Sequence, residues 1–289
     1  MIPIVIMHRN EFDNLFLMID SIFKNTKTPY KLFVVDNNSS VKNKEENIEI
    51  LKKMNLVLIE SNKNNWILGF NLALKSKFWP KNSLYYIFSD ADILVPPIDH
   101  HGCWLRQMVD IMDNNVCIGK LGMSLKVDDI DFWNKEVIVA QRKRFESNSK
   151  ISGNYVAPVD TTLAIYRNDF FIGKEFKFSI GHASLAKPFY YTCRTNSRLE
   201  AKHLGWYDKH RMKQENSAFS EKIRCFARLG CFVDKETLRN SELFDRMFYR
   251  IVRPSMYLFF GVVVITKIFF YLLSNFPRKI NIIQFNSKG

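Results

Sequence analysis

Two aspartates separated by one residue, Asp90 and Asp92, form the feature of the sequence best suited to chemistry. They follow the apolar run Tyr85 to Phe88, a pattern typical of a buried strand, so both carboxylates are expected near a strand end. Carboxylate oxygens suit Mg²⁺ or Mn²⁺, and such an ion neutralises the charge that develops on a departing diphosphate. An isolated pair of this kind also occurs by chance as a solvated turn. The position after an apolar strand favours a metal site.

A second carboxylate, Asp36, ends the apolar run Phe33 to Val35 and precedes the turn formers Asn37 to Ser40. At a strand end it could accept a hydrogen bond from a nucleobase imide or a ribose hydroxyl; taken alone it is a turn aspartate. The asparagine-rich segment Asn62 to Asn71 also follows a predicted strand, although asparagines in loops more often satisfy their own backbone.

Strand and helix patterns alternate through the first ninety residues, which predicts an α/β fold with a mostly parallel sheet. The predicted strands cover residues 2–7, 32–35, 56–59 and 85–88, and the predicted helices cover 12–23, with Asn10 as its N-cap, 45–54 and 72–78. Further along, residues 147–154 are predicted to be a loop and residues 163–166 a strand. Ligands of such sheets bind outside the carboxyl ends of the strands, so Asp36, Asn62, Asp90 and Asp92 are expected to face one crevice.

Composition excludes disorder and collagen-like sequence, since the 289 residues are 47% hydrophobic and 25% charged. The five cysteines form no CxxC pair and no apolar signal segment precedes them, which indicates neither a disulfide scaffold nor a zinc knuckle and favours a cytoplasmic setting. The net charge of +13 is compatible with nucleic acid, anionic lipid or a phosphorylated substrate as a partner.

Four segments together resemble the nucleotide-sugar-binding half of family 2 glycosyltransferases with the GT-A fold. They are Ile4 to Ile6 with Asn10, the run VVDNNSS from Val34 to Ser40, Asn65 to Asn71, and Ser89 to Asp92. The resemblance implies a Rossmann-like GT-A domain over residues 1–215, with a nucleotide-sugar half (1–95) and an acceptor half (96–215), followed by a basic helical extension over 216–289. It also implies metal-assisted, inverting transfer of a sugar from a nucleoside-diphosphate donor, with UDP-sugars favoured.

The resemblance further implies roles for individual residues. The expected nucleotide-sugar contacts are His8, Asn10, Asp36, Asn38, Asn65, Asn71, Asp90 and Ala91. Asp90 and Asp92 would bind Mn²⁺ or Mg²⁺, and His203 is the expected third ligand because family members often place a histidine downstream. A core or surface histidine is the alternative interpretation of His203.

Transfer to a hydroxyl requires a general base, and a single carboxylate suffices. Asp160, ahead of the apolar residues 163–166, is the first choice and Asp208 the second; the Glu-Asp pair common in the family is absent from the sequence. Trp206 and Tyr207 could stack on a sugar ring of the acceptor or belong to the core.

Residues 255–274 are apolar over nearly a membrane-spanning length, with Lys267 as their only charge. The segment could cross a bilayer, lie in its interface with Arg246, Arg250, Arg253, Arg278 and Lys279 on anionic headgroups, or be a buried helix. We expect an enzyme at the cytoplasmic face of a membrane, bound peripherally or through this single segment.

The expected partners are a nucleotide-sugar donor, a glycan or glycolipid acceptor and an anionic membrane surface, without nucleic acid. One alternative is a sugar nucleotidyltransferase, which needs a glycine-rich loop after the first strand, where His8 to Glu11 contains no glycine. The other is a non-enzymatic basic protein that binds membranes or nucleic acid.

Overall fold

The computed structural model describes residues 1–127, 145–159, 162–170, 190–206, 216–233 and 235–275, together with residues 139, 142 and 143. These residues form two compact units. The first contains the described residues up to Phe170 together with 190–206, and the second contains those from 216 onward.

The described part of the first unit contains twelve strands and four α-helices that are described over their full length, besides helical residues at 139, 142–143 and 145–146. Its strands are β1 (Ile2–His8), β2 (Tyr30–Asp36), β3 (Val57–Glu60), β4 (Tyr85–Asp90), β5 (Ile93–Leu94), β6 (Ile118–Gly122), β7 (Ser124–Leu125), β8 (Lys150–Ile151), β9 (Asn154–Val156), β10 (Ala164–Arg167), β11 (Tyr191–Arg194) and β12 (Glu200–His203). Its helices are α1 (Phe12–Asn25), α2 (Lys44–Lys52), α3 (Phe70–Leu74) and α4 (Trp104–Asn114), with short 3-10 helices at Trp66–Gly69 and Leu204–Trp206.

A nine-stranded sheet has the order β3-β2-β1-β4-β10-β6-β11-β9-β8. The first four strands are parallel, whereas β10 runs antiparallel to both β4 and β6. The predicted α/β fold with a parallel sheet is thereby confirmed for the N-terminal half, and the other half is mixed. The register places His8 beside Asp36 and Met7 beside Asp90, so the carboxyl ends of β1, β2 and β4 meet at one edge.

The buried core contains the apolar residues of the predicted strands and of the first predicted helix. Residues 4–6 of β1 and 33–35 of β2 are fully buried, as expected for parallel strands covered on both faces. Helix α1 buries the apolar face formed by Phe12, Leu15, Met18, Ile19 and Ile22.

Two local predictions are wrong. Asn10 does not cap α1: the residue before the helix is Glu11, and Asn10 has a φ of 63° while its side chain binds another loop. Residues 147–154 are not a plain loop, because β8 and β9 pair there as a hairpin. Ser152 and Gly153 connect these strands with φ values of 47° and 79°, the left-handed conformation that two-residue hairpin turns require.

The second unit is helical where it is described. It contains α5 (Asn216–Arg228), α6 (Lys235–Arg239) and the long α7 (Leu243–Asn275). A small core of Ile223, Ala227, Val233 and Tyr249 joins α5 to the beginning of α7. The apolar segment predicted at residues 255–274 forms the later part of α7.

Candidate active site

Asp36 is held in a fixed orientation at the end of β2. Its side chain is 0% exposed, and its Oδ1 accepts hydrogen bonds from the backbone N–H (3.0 Å) and the hydroxyl of Ser39. Its Oδ2 accepts no hydrogen bond among the described residues and lies 3.5 Å from Nζ of Lys44, the first residue of α2. Lys44 was not predicted as a site residue; its place at the start of the helix that follows Asp36 is the signal that could have identified it.

The loops after β1 and β2 are tied to each other. The backbone N–H of Asn10 donates to Oγ of Ser39 (2.8 Å), and the backbone N–H of Ser40 donates to Oδ1 of Asn10 (2.7 Å). Asn38 has a φ of 62°, and its carbonyl accepts a hydrogen bond from Nε of Arg9 (3.4 Å). Asn10 and Asn38 thus shape the rim of the crevice.

A third loop closes on the same edge through Asn37, which was not predicted. The buried Asn37 donates from Nδ2 to the carbonyl of Trp66 (3.0 Å) and accepts from the backbone N–H of Asn65 (3.3 Å). A Cβ atom on Gly69 would lie 2.7 Å from Asn37 Oδ1 and 2.5 Å from Met7 Cε, so only glycine permits this close approach. The sequence did hold a signal for Asn37, because it is a polar residue that directly follows the aspartate at the end of a strand.

Asn65 and Asn71 make different contacts in and after the third loop. Nδ2 of Asn65 donates to Oγ of Ser61 (2.7 Å), and the carbonyl of Asn71 accepts from the backbone N–H of Lys75 (3.2 Å). Asn65 therefore supports the loop through its side chain, while Asn71 lies near the start of α3, partly exposed.

His8 is a buried imidazole beside Asp36. Its Nε2 lies 3.7 Å from Asp36 Oδ1, its ring packs edge-on against Phe12 at 4.8 Å, and neither ring nitrogen has a hydrogen-bond partner among the described residues. Burial lowers the pKa of His8 from 6.5 to about 4; the Asp36 carboxylate opposes this shift and Lys44 adds to it. The imidazole is therefore neutral at physiological pH.

Acid should destabilise the protein through His8. The unfolded chain binds a proton near pH 6.5 and the folded chain only near pH 4, so stability falls as the pH decreases through this window, by up to about 3 kcal/mol. Chemical denaturation between pH 7 and pH 4 measures the loss, and His8→Phe should reduce the pH dependence. An unchanged pH dependence in that variant would show that another group causes it.

Asp92 lies in a turn between two strands. Strand β4 ends at Asp90, which is partly exposed, and the chain turns at the buried residues Ala91 and Asp92 before β5 begins. Pairing of β5 with β12 brings His203 opposite Ile93, with His203 Nδ1 3.5 Å from Asp92 Oδ2. The backbone N–H of Leu204 also donates to the carbonyl of Asp92 (2.7 Å).

The predicted metal trio is not assembled as expected. In the part of the chain that the structure describes, no three His, Cys, Asp or Glu side chains lie close enough to hold a metal ion. Asp90 is the last residue of β4, whereas Asp92 lies in the turn that follows it. The structure instead pairs Asp92 with His203, an oxygen and an imidazole donor that Mn²⁺ accepts.

Trp206, predicted as an acceptor contact, stacks on His203 with ring centroids 5.0 Å apart and an interplanar angle of 5°. Its indole thus fixes the orientation of the imidazole. Three predicted residues, Tyr207, Asp208 and Asp160, lie outside the described residues.

The described residues around position 160 are anchored on two strands. Nζ of the buried Lys120 in β6 donates to the carbonyl of Val159 (2.5 Å). The backbone N–H of Leu163 donates to Oγ of Ser89 (3.2 Å), the residue before Asp90. Lys120 was not predicted, because a lysine inside a short apolar strand carries no sequence signal for this role.

Residues 4–173 match the family described as glycosyl transferase family 2, which is more than half of the chain. A search of curated protein sequences found no match. Among solved structures, the chain is similar to the mannosyltransferase PcManGT from Pyrobaculum calidifontis in complex with GDP-Man and Mn²⁺, with a TM-score of 0.48 and 14% identity over 92% of this chain and 74% of that chain. It is also similar to S. aureus TarS 1-349 in complex with UDP-GlcNAc, with a TM-score of 0.44 and 15% identity over 96% of this chain and 76% of that chain.

Proposed function

The chain belongs to glycosyl transferase family 2, and we propose that it moves a sugar from a UDP-sugar donor to a hydroxyl of a surface glycan or of a lipid-linked saccharide. The family match and the fold confirm the expected resemblance and the enzyme class. The observation that carries the proposal is the position of Asp36 and of the Asp92–His203 pair at the carboxyl ends of β2 and β4, on one edge of the sheet. Nucleotides bind at this edge in open α/β sheets.

Asp36 supports a uracil base. A carboxylate only accepts hydrogen bonds, so it suits the imide N–H of uracil and disfavours cytosine, whose corresponding ring nitrogen is an acceptor. Oδ1 is occupied by Ser39, which leaves Oδ2 for the base. Because Lys44 lies 3.5 Å from Oδ2, we expect donor binding to displace its ammonium group.

Asp92 and His203 would hold a divalent cation, with Asp90 nearby in sequence. Their oxygen and nitrogen donors fit Mn²⁺, which leaves further coordination positions for phosphate oxygens. When bound, such an ion supplies positive charge to the diphosphate leaving group. The chain itself contributes two groups. One is the carboxylate of Asp92, a residue whose backbone carbonyl accepts a hydrogen bond from the backbone N–H of Leu204. The other is the imidazole of His203, which is oriented by stacking on Trp206.

Asp160 is the proposed general base, with Asp208 as the second choice. In inverting transfer the base takes the proton of the acceptor hydroxyl as its oxygen attacks the anomeric carbon. The anchoring of Val159 to Lys120 and of Leu163 to Ser89, next to Asp90, supports this role for the intervening segment.

The second unit supports attachment to an anionic membrane. Helix α7 is long and apolar enough to cross a bilayer, and its most apolar window is 0% buried. Residues 255–274 carry Lys267 as their single charge and therefore lack the polar face of a helix that lies in the interface. We propose that this part of α7 crosses the membrane, although Lys267 adds a cost of roughly 2.5–3.5 kcal/mol.

Arg253, Phe232 and Tyr257 form a cluster of basic and aromatic side chains, here called the collar. We propose that the collar lies where α7 enters the membrane. The guanidinium of Arg253 lies over the rings of Phe232 (3.5 Å) and Tyr257 (5.6 Å), and a Cβ atom on Gly230 would lie 3.1 Å from the backbone nitrogen of Tyr257. Phe232 is 74% exposed. Aromatic rings combined with arginines suit the headgroup layer, where cytoplasmic leaflets are anionic.

Donor hydrolysis tests the proposed reaction. The full-length protein is incubated with UDP-, GDP- and CDP-sugars and Mn²⁺, and the released nucleoside diphosphate is measured. We expect slow hydrolysis of at least one UDP-sugar and its loss with EDTA, because water can replace the acceptor hydroxyl when a divalent cation neutralises the charge of the leaving diphosphate. No release from any donor, with Mn²⁺ or Mg²⁺, would contradict the proposal.

The same assay separates the alternatives. A sugar nucleotidyltransferase would release pyrophosphate from a nucleoside triphosphate and a sugar phosphate. The loop from His8 to Glu11 lacks glycine and does not favour this reaction. A non-enzymatic basic protein would bind membranes or nucleic acid without any turnover, and that binding would weaken steeply with salt.

A further inference from the structure

The edge of the sheet opposite the candidate active site carries a basic and apolar surface, and we propose that this surface contacts the headgroups of an anionic membrane. The surface, here called the amino-edge patch, is formed by Lys31, Lys75, Lys77, Phe78, Lys81 and Leu84. The inference goes beyond the proposed reaction, because it uses no residue of the candidate active site.

Strand direction places the patch at this edge. Strands β1, β2 and β4 are parallel, so their amino ends meet at one edge of the sheet, as their carboxyl ends meet at the other. Lys31 is the second residue of β2, and Leu84 directly precedes β4. Nζ of Lys31 lies 5.7 Å from the centroid of the Phe78 ring, which brings the segment between α3 and β4 to the same edge. Because the strands are about 20 Å long, a surface that contacts the patch leaves the crevice open.

Local packing directs Phe78 towards solvent. The next residue, Trp79, packs on the sheet, with its ring centroid 5.5 Å from that of Phe33. The backbone N–H of Trp79 donates to the carbonyl of Ser76 (3.0 Å), and the backbone N–H of Phe78 donates to Oγ of Ser76 (3.3 Å). Phe78 is 52% exposed and Leu84 is 68% exposed. The patch therefore presents two apolar side chains from an ordered turn.

The lysines of the patch have no acidic partner. Residues 26–35 and 75–89 contain five lysines and no Asp or Glu. Within the described part of the chain, no carboxylate pairs with Lys31, Lys75, Lys77 or Lys81. The ammonium groups of Lys31 and Lys77 lie 5.7 and 5.1 Å from the centroid of the same Phe78 ring, so two like charges converge on it. An anionic partner removes this repulsion, and charge complementarity thus favours one.

The apolar side chains favour a membrane over other anionic partners. Phe78 and Leu84 can enter the boundary between headgroups and acyl chains while the lysine ammonium groups stay at the lipid phosphates. Nucleic acid would use the lysines for its phosphates but would leave the aliphatic side chain of Leu84 without a contact of its own kind. Two apolar side chains give only a weak contact, so α7 supplies the attachment and keeps the patch close to the bilayer. The patch orients the first unit on the membrane surface.

Photocrosslinking in the full-length protein tests the contact. Phe78 is replaced by p-benzoylphenylalanine, which bonds to a neighbouring C–H group under ultraviolet light. The matched control carries the same replacement at Leu17 of α1, which is also 52% exposed. Each protein is irradiated in nanodiscs of phosphatidylcholine, alone or mixed with phosphatidylglycerol, with RNA present, and mass spectrometry identifies the adduct. Hydrogen exchange over residues 75–84 of the unmodified protein in both nanodiscs is the second measurement.

We expect lipid adducts at position 78 in the anionic nanodiscs, about tenfold fewer in the neutral ones, and few at position 17 in either. Lys31→Gln combined with Lys77→Gln should reduce the adducts at position 78 by a similar factor and leave donor hydrolysis unchanged. Residues 75–84 should exchange more slowly in the anionic nanodiscs. Adducts and exchange rates that do not depend on lipid charge, or adducts only with RNA or with a second copy of the chain, would overturn the inference. Donor hydrolysis is measured separately, so a failure of the patch and a failure of the proposed reaction are distinguishable.

Discussion

Asp92→Asn should lower sugar transfer and donor hydrolysis by about 10²–10³-fold, the scale expected when one electrostatic stabiliser of a leaving group is removed. Asparagine keeps the shape of the side chain but loses the negative charge that attracts a divalent cation. The bond from Leu204 to the Asp92 carbonyl involves the backbone and remains in the variant. We therefore expect the variant to keep the fold and to lose most of its transferase and hydrolysis activity.

Thermal unfolding provides a second measurement on the same variant. UDP with Mn²⁺ should raise the melting temperature of the parent protein, because a ligand that binds only the folded state stabilises it. Asp92→Asn should lose most of this shift. The matched control is Asp110→Asn, which removes an exposed carboxylate paired with Arg106 on α4, and it should retain both the shift and the activity. Equal shifts in Asp92→Asn and the parent, or shifts that persist with EDTA, would remove Asp92 from the metal site.

The parallel half of the fold could be predicted because its signals are local. Apolar runs bounded by turn residues gave the positions of β1, β2 and β4, and the order of strands along the chain indicated crossover helices. Asp36 and Asp92 could be proposed for the same reason, since Asp36 directly follows such a run and Asp92 lies four residues after one. Their shared edge then follows from parallel pairing, which the registers with β1 show.

Contacts between distant segments could not be predicted in the same way. Two hydrogen bonds, from Asn37 to the carbonyl of Trp66 and from Lys120 to the carbonyl of Val159, depend on tertiary packing. A single sequence holds no signal for such contacts. The turn at Ala91 and Asp92 shows the same limit at short range. The sequence predicts both carboxylates near one strand end, whereas in the structure the strand ends at Asp90 and Asp92 lies in the turn that follows.

A chain that ends at Ser255 should leave the membrane fraction almost completely. This truncation keeps the part of α7 that packs on α5, including the pair of Arg224 with Asp245 (2.6 Å), and removes the exposed apolar part. From Tyr257 to Ser274 the helix rises about 27 Å, close to the roughly 30 Å of hydrocarbon in a bilayer. Flotation of the expressed proteins with membranes measures the difference, and the full chain should resist extraction by alkaline carbonate.

A chain that ends at Asn275 is the matched control, because it loses Arg278 and Lys279 but keeps all of α7. It should remain in the membrane fraction and resist carbonate as the full chain does. Release of this control would show that the basic tail provides the attachment.

Extraction of the full chain by carbonate would mean that α7 lies in the interface, with Lys267 at the headgroups. Continued flotation of the chain ending at Ser255 would place the membrane contact at the collar or elsewhere in the protein, because the exposed apolar part of α7 would then be unnecessary.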